Sequence, residues 1–277
     1  MIASLPMYDL AEIAGHTDEL WRCWSAALRR RGVDAPGLLN RPSGDLLQHW
    51  SRTDLLCSQS CGYPVAALLG ERFDVAGTFS SPAGEQDRPG FYRSVIVARA
   101  DDFRAESGLR SFEGCRVAAN SMDSLSGWFS IGSALTEAGV RHLGPAIETG
   151  AHANSAVAVR DGEADLASID AVTYALLIRH RPTAVDGLQV AGRGPLVRSL
   201  PIITALPEVV PALRDTAREA LRDVSRETAD ALLIDGWVDA DQEDYSSINA
   251  LAAGALPLLG TTTSLHAMHR TVRRLPA

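Results

Sequence analysis

The sequence predicts an α/β protein built as two lobes, and three observations carry that expectation. Between residues 115 and 180, short apolar runs alternate with stretches of helical spacing three times over. Strands that alternate with helices of this length form right-handed βαβ units around a parallel sheet. Two Gly/Pro-rich stretches, Ser80 to Gly90 and Ala191 to Leu200, bracket this block and read as linkers. Finally, 277 residues suffice for one large domain or two lobes of ordinary size. The expected organisation is a discontinuous first lobe of residues 1–93 and 193–277, with 94–192 inserted as the second lobe.

The first lobe opens with a strand over residues 2–8. Thr17 is placed to cap a helix from Asp18 to Arg30, because Leu20, Trp21, Trp24 and Leu28 fall at helical spacing. Arg29, Arg30 and Arg31 then sit at its favourable C-terminal end as a solvated face, and Gly32 stops it. Asp54 to Gln59 reads as a buried strand that runs through Ser60-Cys61-Gly62-Tyr63-Pro64 into a helix over Val65 to Leu69. Phe73 to Thr78 is the next strand, and Tyr92 to Ala98 is β-branched and strongly strand-like.

In the inserted lobe, strands at 115–119, 144–148 and 164–169 lead to helices at 125–138, 152–160 and 171–180. Pro201 to Ala205 resumes a strand, and Pro207 opens a helix with Val210, Leu213, Ala217, Leu221 and Val224 on one stripe. A last helix is expected from Tyr245 to Leu256, followed by a polar, basic tail from Thr261 to Ala277 without fixed structure. A weak internal echo (Asp54-Leu55 before Tyr63, Asp165-Leu166 before Tyr174) fits two lobes of similar plan.

Composition narrows the function. Hydrophobic residues make up 46% and charged residues 22%, an ordinary globular balance. A formal net charge of −8 argues against nucleic acid or an acidic membrane surface as partner. A small anion stays possible, because a local helix terminus outweighs distant charge that salt screens. No apolar run approaches the roughly 18 residues of a membrane span, so no membrane insertion is expected. Met1 to Asp9 lacks the basic segment, apolar core and cleavage site of a secretory leader. As written, the chain is expected in the cytoplasm, and in the periplasm if a leader was removed ahead of it. Cys23, Cys57, Cys61 and Cys115 match no zinc spacing and read as free thiols. No metal and no cofactor are expected.

The stretch Asn120-Ser121-Met122-Asp123-Ser124-Leu125-Ser126-Gly127 joins a strand to a helix with small, hydroxyl-bearing residues. Such a turn either caps the helix or offers its free N–H groups to an anion. Ligands of open α/β sheets bind beyond the carboxyl ends of strands. The residues placed there, facing a cleft between the lobes, are Tyr8, Asp9, Ser60 to Tyr63, Tyr92, Arg93, Asn120 to Gly127, Gly150 to Asn154 and Asp170.

These segments also carry a resemblance. Ser4-Leu5-Pro6-Met7-Tyr8-Asp9, Ser58 to Pro64, Tyr92-Arg93-Ser94, Asn120 to Gly127, Glu148-Thr149-Gly150-Ala151-His152 and Asp165 to Asp170 follow one another in a familiar order. Across residues 2 to 260 the chain resembles the phosphate/phosphonate/phosphite-type substrate-binding proteins of ABC transporters, which have the type 2 periplasmic binding protein fold. The resemblance implies that Ser124, Ser126 and the backbone at Gly127 hold phosphonate oxygens, joined by His152 and by Asp170. It implies aromatic walls at Tyr8, Tyr63 and Tyr92, beside Cys61, Gly62 and Arg93. It also implies an ABC permease as partner if the protein is exported. Many of the family's phosphonate binders carry an acidic residue after that histidine; Ala153 stands here, which argues against an aminoalkylphosphonate.

Two functions follow. In the first, the lobes close on a small oxyanion about hinges near 91–94 and 192–200, and no chemistry ensues. In the second, the same fold is a cytosolic enzyme, a lyase, dehydratase or cofactor-pathway type acting on a small carboxylate or heterocycle. His152, Asp170 and Cys61 would then supply acid/base groups. The sequence has no nucleophile elbow, metal pattern or Gly-Lys-Ser/Thr loop, which favours binding.

Overall fold

The structure, a computed structural model, describes residues 1–260. In chain order the first part comprises β1 (Ile2–Ser4), α1 (Ala14–Arg30), α2 (Leu46–Trp50), β2 (Leu55–Gln59), β3 (Asp74–Ser80), β4 (Phe91–Arg99) and β5 (Val117–Ala119). Then come α3 (Ser130–Glu137), β6 (Ala146–Glu148), α4 (His152–Arg160), β7 (Leu166–Ile169), α5 (Ala171–His180), β8 (Leu188–Arg198) and β9 (Pro201–Thr204). The last are α6 (Val210–Asp223), α7 (Arg226–Leu232), β10 (Gly236–Asp239) and α8 (Ser247–Leu259). The described residues divide into two compact units, Met1–Phe91 with Arg198–Ser246, and Tyr92–Val197 with residues 247–260.

The first unit holds a five-stranded sheet in the order β1-β2-β9-β3-β10. All five residues of β2 and all four of β9 are buried, as expected of central strands covered on both faces. Helix α1 buries Leu20, Trp21, Trp24, Ala27 and Leu28 and packs along α6, which supplies Leu213, Ala217 and Ala220. Trp24 anchors this core. Its ring stands edge-on to Trp21 at 5.9 Å, and to Phe79 and Trp237 at 5.7 Å each, while its indole N–H donates to Thr216 Oγ1 at 2.9 Å. A buried tryptophan of this kind is worth about 3–5 kcal/mol over alanine.

The second unit holds a sheet in the order β6-β5-β7-β4-β8. Strand β5 pairs parallel with β6 and β7, but β4 runs antiparallel to β7, with Val95 opposite Ile169 and Ile96 opposite Ser168. Both sheets are therefore mixed. The expected parallel pairing applies to the β5–β6–β7 block and to β1 with β2.

Other elements differ from the sequence reading for physical reasons. Helix α1 starts at Ala14, so Thr17 lies inside it and its hydroxyl turns back to the Ile13 carbonyl at 3.5 Å instead of capping. Arg30 and Arg31 are not merely solvated: both pair with Glu219 of α6. The stretch read as a linker at Ala191 to Leu200 mostly belongs to β8, an edge strand, where Gly192, Gly194 and Pro195 cost no central ladder bond. The helix expected at Val65 to Leu69 is a wide π-type turn, Pro64–Leu68. Helix α8 packs on α3 and on residues 125–129 of the second unit, burying Ile248, Ala252, Ala255 and Leu259, whereas the sequence division put it with the first lobe. The tail from Thr261 on lies outside the described residues. No helix among the described residues is long and apolar enough to cross a membrane.

Candidate functional site

The hydroxyl-rich turn leaves the end of β5 and enters a wide π-type turn, Leu125–Phe129, that runs straight into α3. Ser124 is its N-cap: the backbone is extended and Oγ accepts the Gly127 N–H at 3.0 Å. The Ser124 carbonyl accepts the N–H groups of both Trp128 (3.0 Å) and Phe129 (3.1 Å). The N–H groups of Leu125 and Ser126, in the first turn, have no carbonyl earlier in the helix to bond. They sit at the positive end of the helical run, where an anion is stabilised. Capping uses a lone pair of Ser124 Oγ and leaves its proton to donate elsewhere.

Three contacts fix this turn. Ser168 Oγ, on β7, donates to the Ser126 carbonyl at 2.6 Å. Ser126 Oγ shares a 2.8 Å hydrogen bond with His152 Nε2, and stands 3.4 Å from Ser124 Oγ. His152 is the first residue of α4. The residue is half-buried, but its Nδ1 is shut off from solvent and has no hydrogen-bond partner among the described residues. Burial pushes the imidazole down to about 4, against an opposing contribution from the Ser168 backbone. At neutral pH the ring is therefore uncharged. The turn presents hydroxyl and backbone dipoles, and His152 adds no positive charge to them.

The polar atoms around the turn are unusually open. Asn120 Oδ1, Trp128 Nε1, Ser130 Oγ and Ser94 Oγ join His152 Nδ1 as buried atoms with no partner among the described residues. A buried group left unpaired costs about 1–3 kcal/mol, so each calls for an explanation. Two of them are seated by glycine. A Cβ on Gly127 would lie 2.0 Å from Asn120 Oδ1, and one on Gly194 would lie 1.9 Å from Ser130 Oγ. Their positions are set by packing against a bare backbone, which leaves their hydrogen-bonding capacity unspent.

Ser124, Ser126, Gly127 and His152 are thus brought together in the second unit. Asp170 is 1% exposed and caps α5, its Oδ1 accepting the N–H of Val172 at 2.8 Å and of Thr173 at 3.1 Å. Tyr92 is buried at the start of the same unit, and Arg93 Nη1 donates to the Gly194 carbonyl at 3.2 Å. Asp123 accepts from the Ser121 hydroxyl within the turn. The other expected residues lie in the first unit. Tyr8 is half-buried just past β1. Cys61 and Tyr63 are each 6% exposed and flank Gly62, between β2 and the Pro64–Leu68 turn. Both units therefore send a buried strand through a short polar turn into a π-type turn, a feature frequent at functional sites. Burial raises the thiols of Cys57 and Cys115, the latter to about 12, and no disulfide is formed among the described residues. No group of three metal-ligating side chains is assembled among the described residues.

Ser94, Trp128, Ser130 and Gly194 were not among the residues expected at a site. Ser130 had a signal: it follows Ser126 by four, the spacing of one face in an ordinary helix.

Over residues 51–245 the chain matches the sequence profile of a family described as ABC transporter, phosphonate, periplasmic substrate-binding protein. Among solved structures, PhnD1 from Prochlorococcus marinus (MIT 9301) in complex with methylphosphonate is similar with a TM-score of 0.67 and 14% identity, covering 91% of this chain and 97% of that one. A binding protein component of an ABC phosphonate transporter from Pseudomonas aeruginosa is similar with a TM-score of 0.66 and 14% identity, covering 99% and 94%. A Xanthomonas citri protein bound to chloride ion gives a TM-score of 0.66 and 14% identity, covering 92% and 96%. Likeness at this identity speaks to the fold. Among curated protein sequences, none matches the chain.

Proposed function

The chain belongs to the family of periplasmic phosphonate-binding proteins of ABC transporters, and on that premise we propose that its second unit holds the oxyanion of a small phosphonate- or phosphate-like solute at the turn Asn120 to Gly127. The observation that carries this reading is the hydroxyl chain Ser124–Ser126–His152 at the start of a helix, ringed by buried polar atoms without partners. Ser124 and Ser126 donate their hydroxyl protons, the first-turn N–H groups donate theirs, and His152 orients Ser126. The family is a substrate-binding component and not an enzyme. Asp170, a proposed acid/base group of the enzyme reading, has its Oδ1 committed to capping α5. Export to the periplasm and delivery of the solute to an ABC permease complete the proposal.

Calorimetric titration with methylphosphonate, phosphate, phosphite and methanesulfonate tests it. A phosphorus oxyanion should bind, be recovered unchanged, and raise the melting temperature, by about 2.7 kcal/mol of stabilisation at a hundredfold excess over its dissociation constant. If none of the four binds, or if the bound solute is turned over, the reading fails.

A further inference from the structure

The unpaired hydroxyls of Ser94 and Ser130 are the least explained feature of the second unit. Ser94 is fully buried on β4 and Ser130 is 3% exposed at the start of α3. The β4–β7 register places them with the turn. Ile96 lies opposite Ser168, so Ser94 and Ser168 share one face of the sheet. That face meets the turn, because Ser168 holds the Ser126 carbonyl. Ser130, at the start of α3 directly after the turn, comes up against the strands on which Ser94 and Gly194 lie. Gly194 on the neighbouring β8 completes the group: its missing Cβ would lie 1.9 Å from Ser130 Oγ and 3.5 Å from Ser94 Cβ.

Resting on the proposed function, we infer that Ser94 and Ser130, set against Gly194, form a second polar contact of the same site and select a solute whose substituent carries an uncharged oxygen. Both hydroxyls donate and accept, as a ligand hydroxyl requires. An alkyl substituent would leave both buried hydroxyls unpaired. An ammonium needs a carboxylate, and the carboxylate that follows β7 in register with Ser94, Asp170, has its Oδ1 shared by two backbone N–H groups. The Trp128 indole N–H, also unpaired, likewise suits an oxygen and not an ammonium.

The test compares hydroxymethylphosphonate, ethylphosphonate and aminomethylphosphonate, which differ chiefly in one terminal group, by calorimetric titration of the full chain. Hydroxymethylphosphonate should bind about tenfold more tightly than either of the others. In S94A/S130A that preference should shrink to within about twofold, with ethylphosphonate affinity little changed. The double variant should melt no lower than the parent, since it removes hydroxyls that bond to nothing in the protein; S94A alone serves if the double variant does not fold. Equal affinities in the parent chain, tightest binding of the amine, or a preference that survives in S94A/S130A would overturn the inference while leaving the oxyanion site standing. Failure of all three to bind overturns the inference; the proposed function falls with it only if methylphosphonate, phosphate and phosphite also fail to bind.

Discussion

Each unit buries a cluster of serine, histidine and tryptophan, and the two clusters are finished differently. In the first unit Ser4 Oγ bonds His49 Nε2 at 2.8 Å and Ser58 Oγ at 2.7 Å, and Trp50 Nε1 donates to Ser58 Oγ at 3.1 Å. Every one of those atoms is paired. In the second unit Ser124, Ser126 and His152 form a similar chain, but His152 Nδ1, Trp128 Nε1, Ser94 Oγ and Ser130 Oγ have no partner among the described residues. Asn120 Oδ1 of the same unit is another such atom, and Arg198 Nε is one in the first unit. Residue type does not separate the two clusters; completion does. A closed network rigidifies a core, whereas an open one keeps its hydrogen bonds for a ligand.

The largest expected effect concerns pH. His152 is held down to about 4 by burial, and burial lowers His49 as well. For each, the unfolded chain takes up a proton near its ordinary pKa of about 6.5 while the folded chain resists, so stability is fully present above that value. It is lost as pH falls through the folded-state value, about 4 for His152. His152 contributes at most about 3 kcal/mol to that loss. Chemical denaturation of the parent and of H152Q between pH 7 and 4 measures it. An unchanged pH slope in H152Q would mean that the open histidine titrates as if exposed.

Next in size is the closed cluster. H49A removes one partner of the buried Ser4 hydroxyl and leaves a void, at a cost of about 2–3 kcal/mol in urea denaturation. Methylphosphonate affinity should stay within about twofold, because His49 belongs to a completed network. A tenfold loss of affinity would abolish the contrast between the clusters. The reverse holds for S126A, which breaks the link between His152 and Ser124. Its methylphosphonate affinity should fall about tenfold, with stability moved by less than about 1 kcal/mol.

How much of this was legible in the sequence follows from what each feature depends on. The strand–turn–helix units at 115–180 rest on local periodicity and were readable to within a few residues. That Ser124, Ser126, Gly127 and His152 stand where a strand gives way to a helix was readable, because position after a strand is a local fact; the binding role proposed for them came from the family resemblance. Strand β8 was hidden, because Gly192, Gly194 and Pro195 are turn residues everywhere except at a sheet edge, and edge position is decided by pairing with β4. The two π-type turns were hidden too, since their wider spacing leaves no composition of its own. Ser94 could not be singled out, and Ser130 only by its four-residue spacing from Ser126, because being unpaired is a property of all the neighbours together.

The smallest effect bears on the choice between cap and ligand contact at Ser124. S124A removes the bond to the Gly127 N–H and should cost about 1 kcal/mol of stability, as loss of an N-cap does. Its weakened binding would therefore have two explanations, a frayed turn or a missing donor. S124D separates them. Aspartate caps as well as serine, so melting should return to near the parent value. Its carboxylate, however, donates no proton and repels an oxyanion held by the same N–H groups. Stability restored with methylphosphonate binding lost by more than about tenfold assigns the Ser124 hydroxyl to the ligand. Binding restored along with stability would make Ser124 a cap alone, and would put it in the closed class with Ser4 and Ser58.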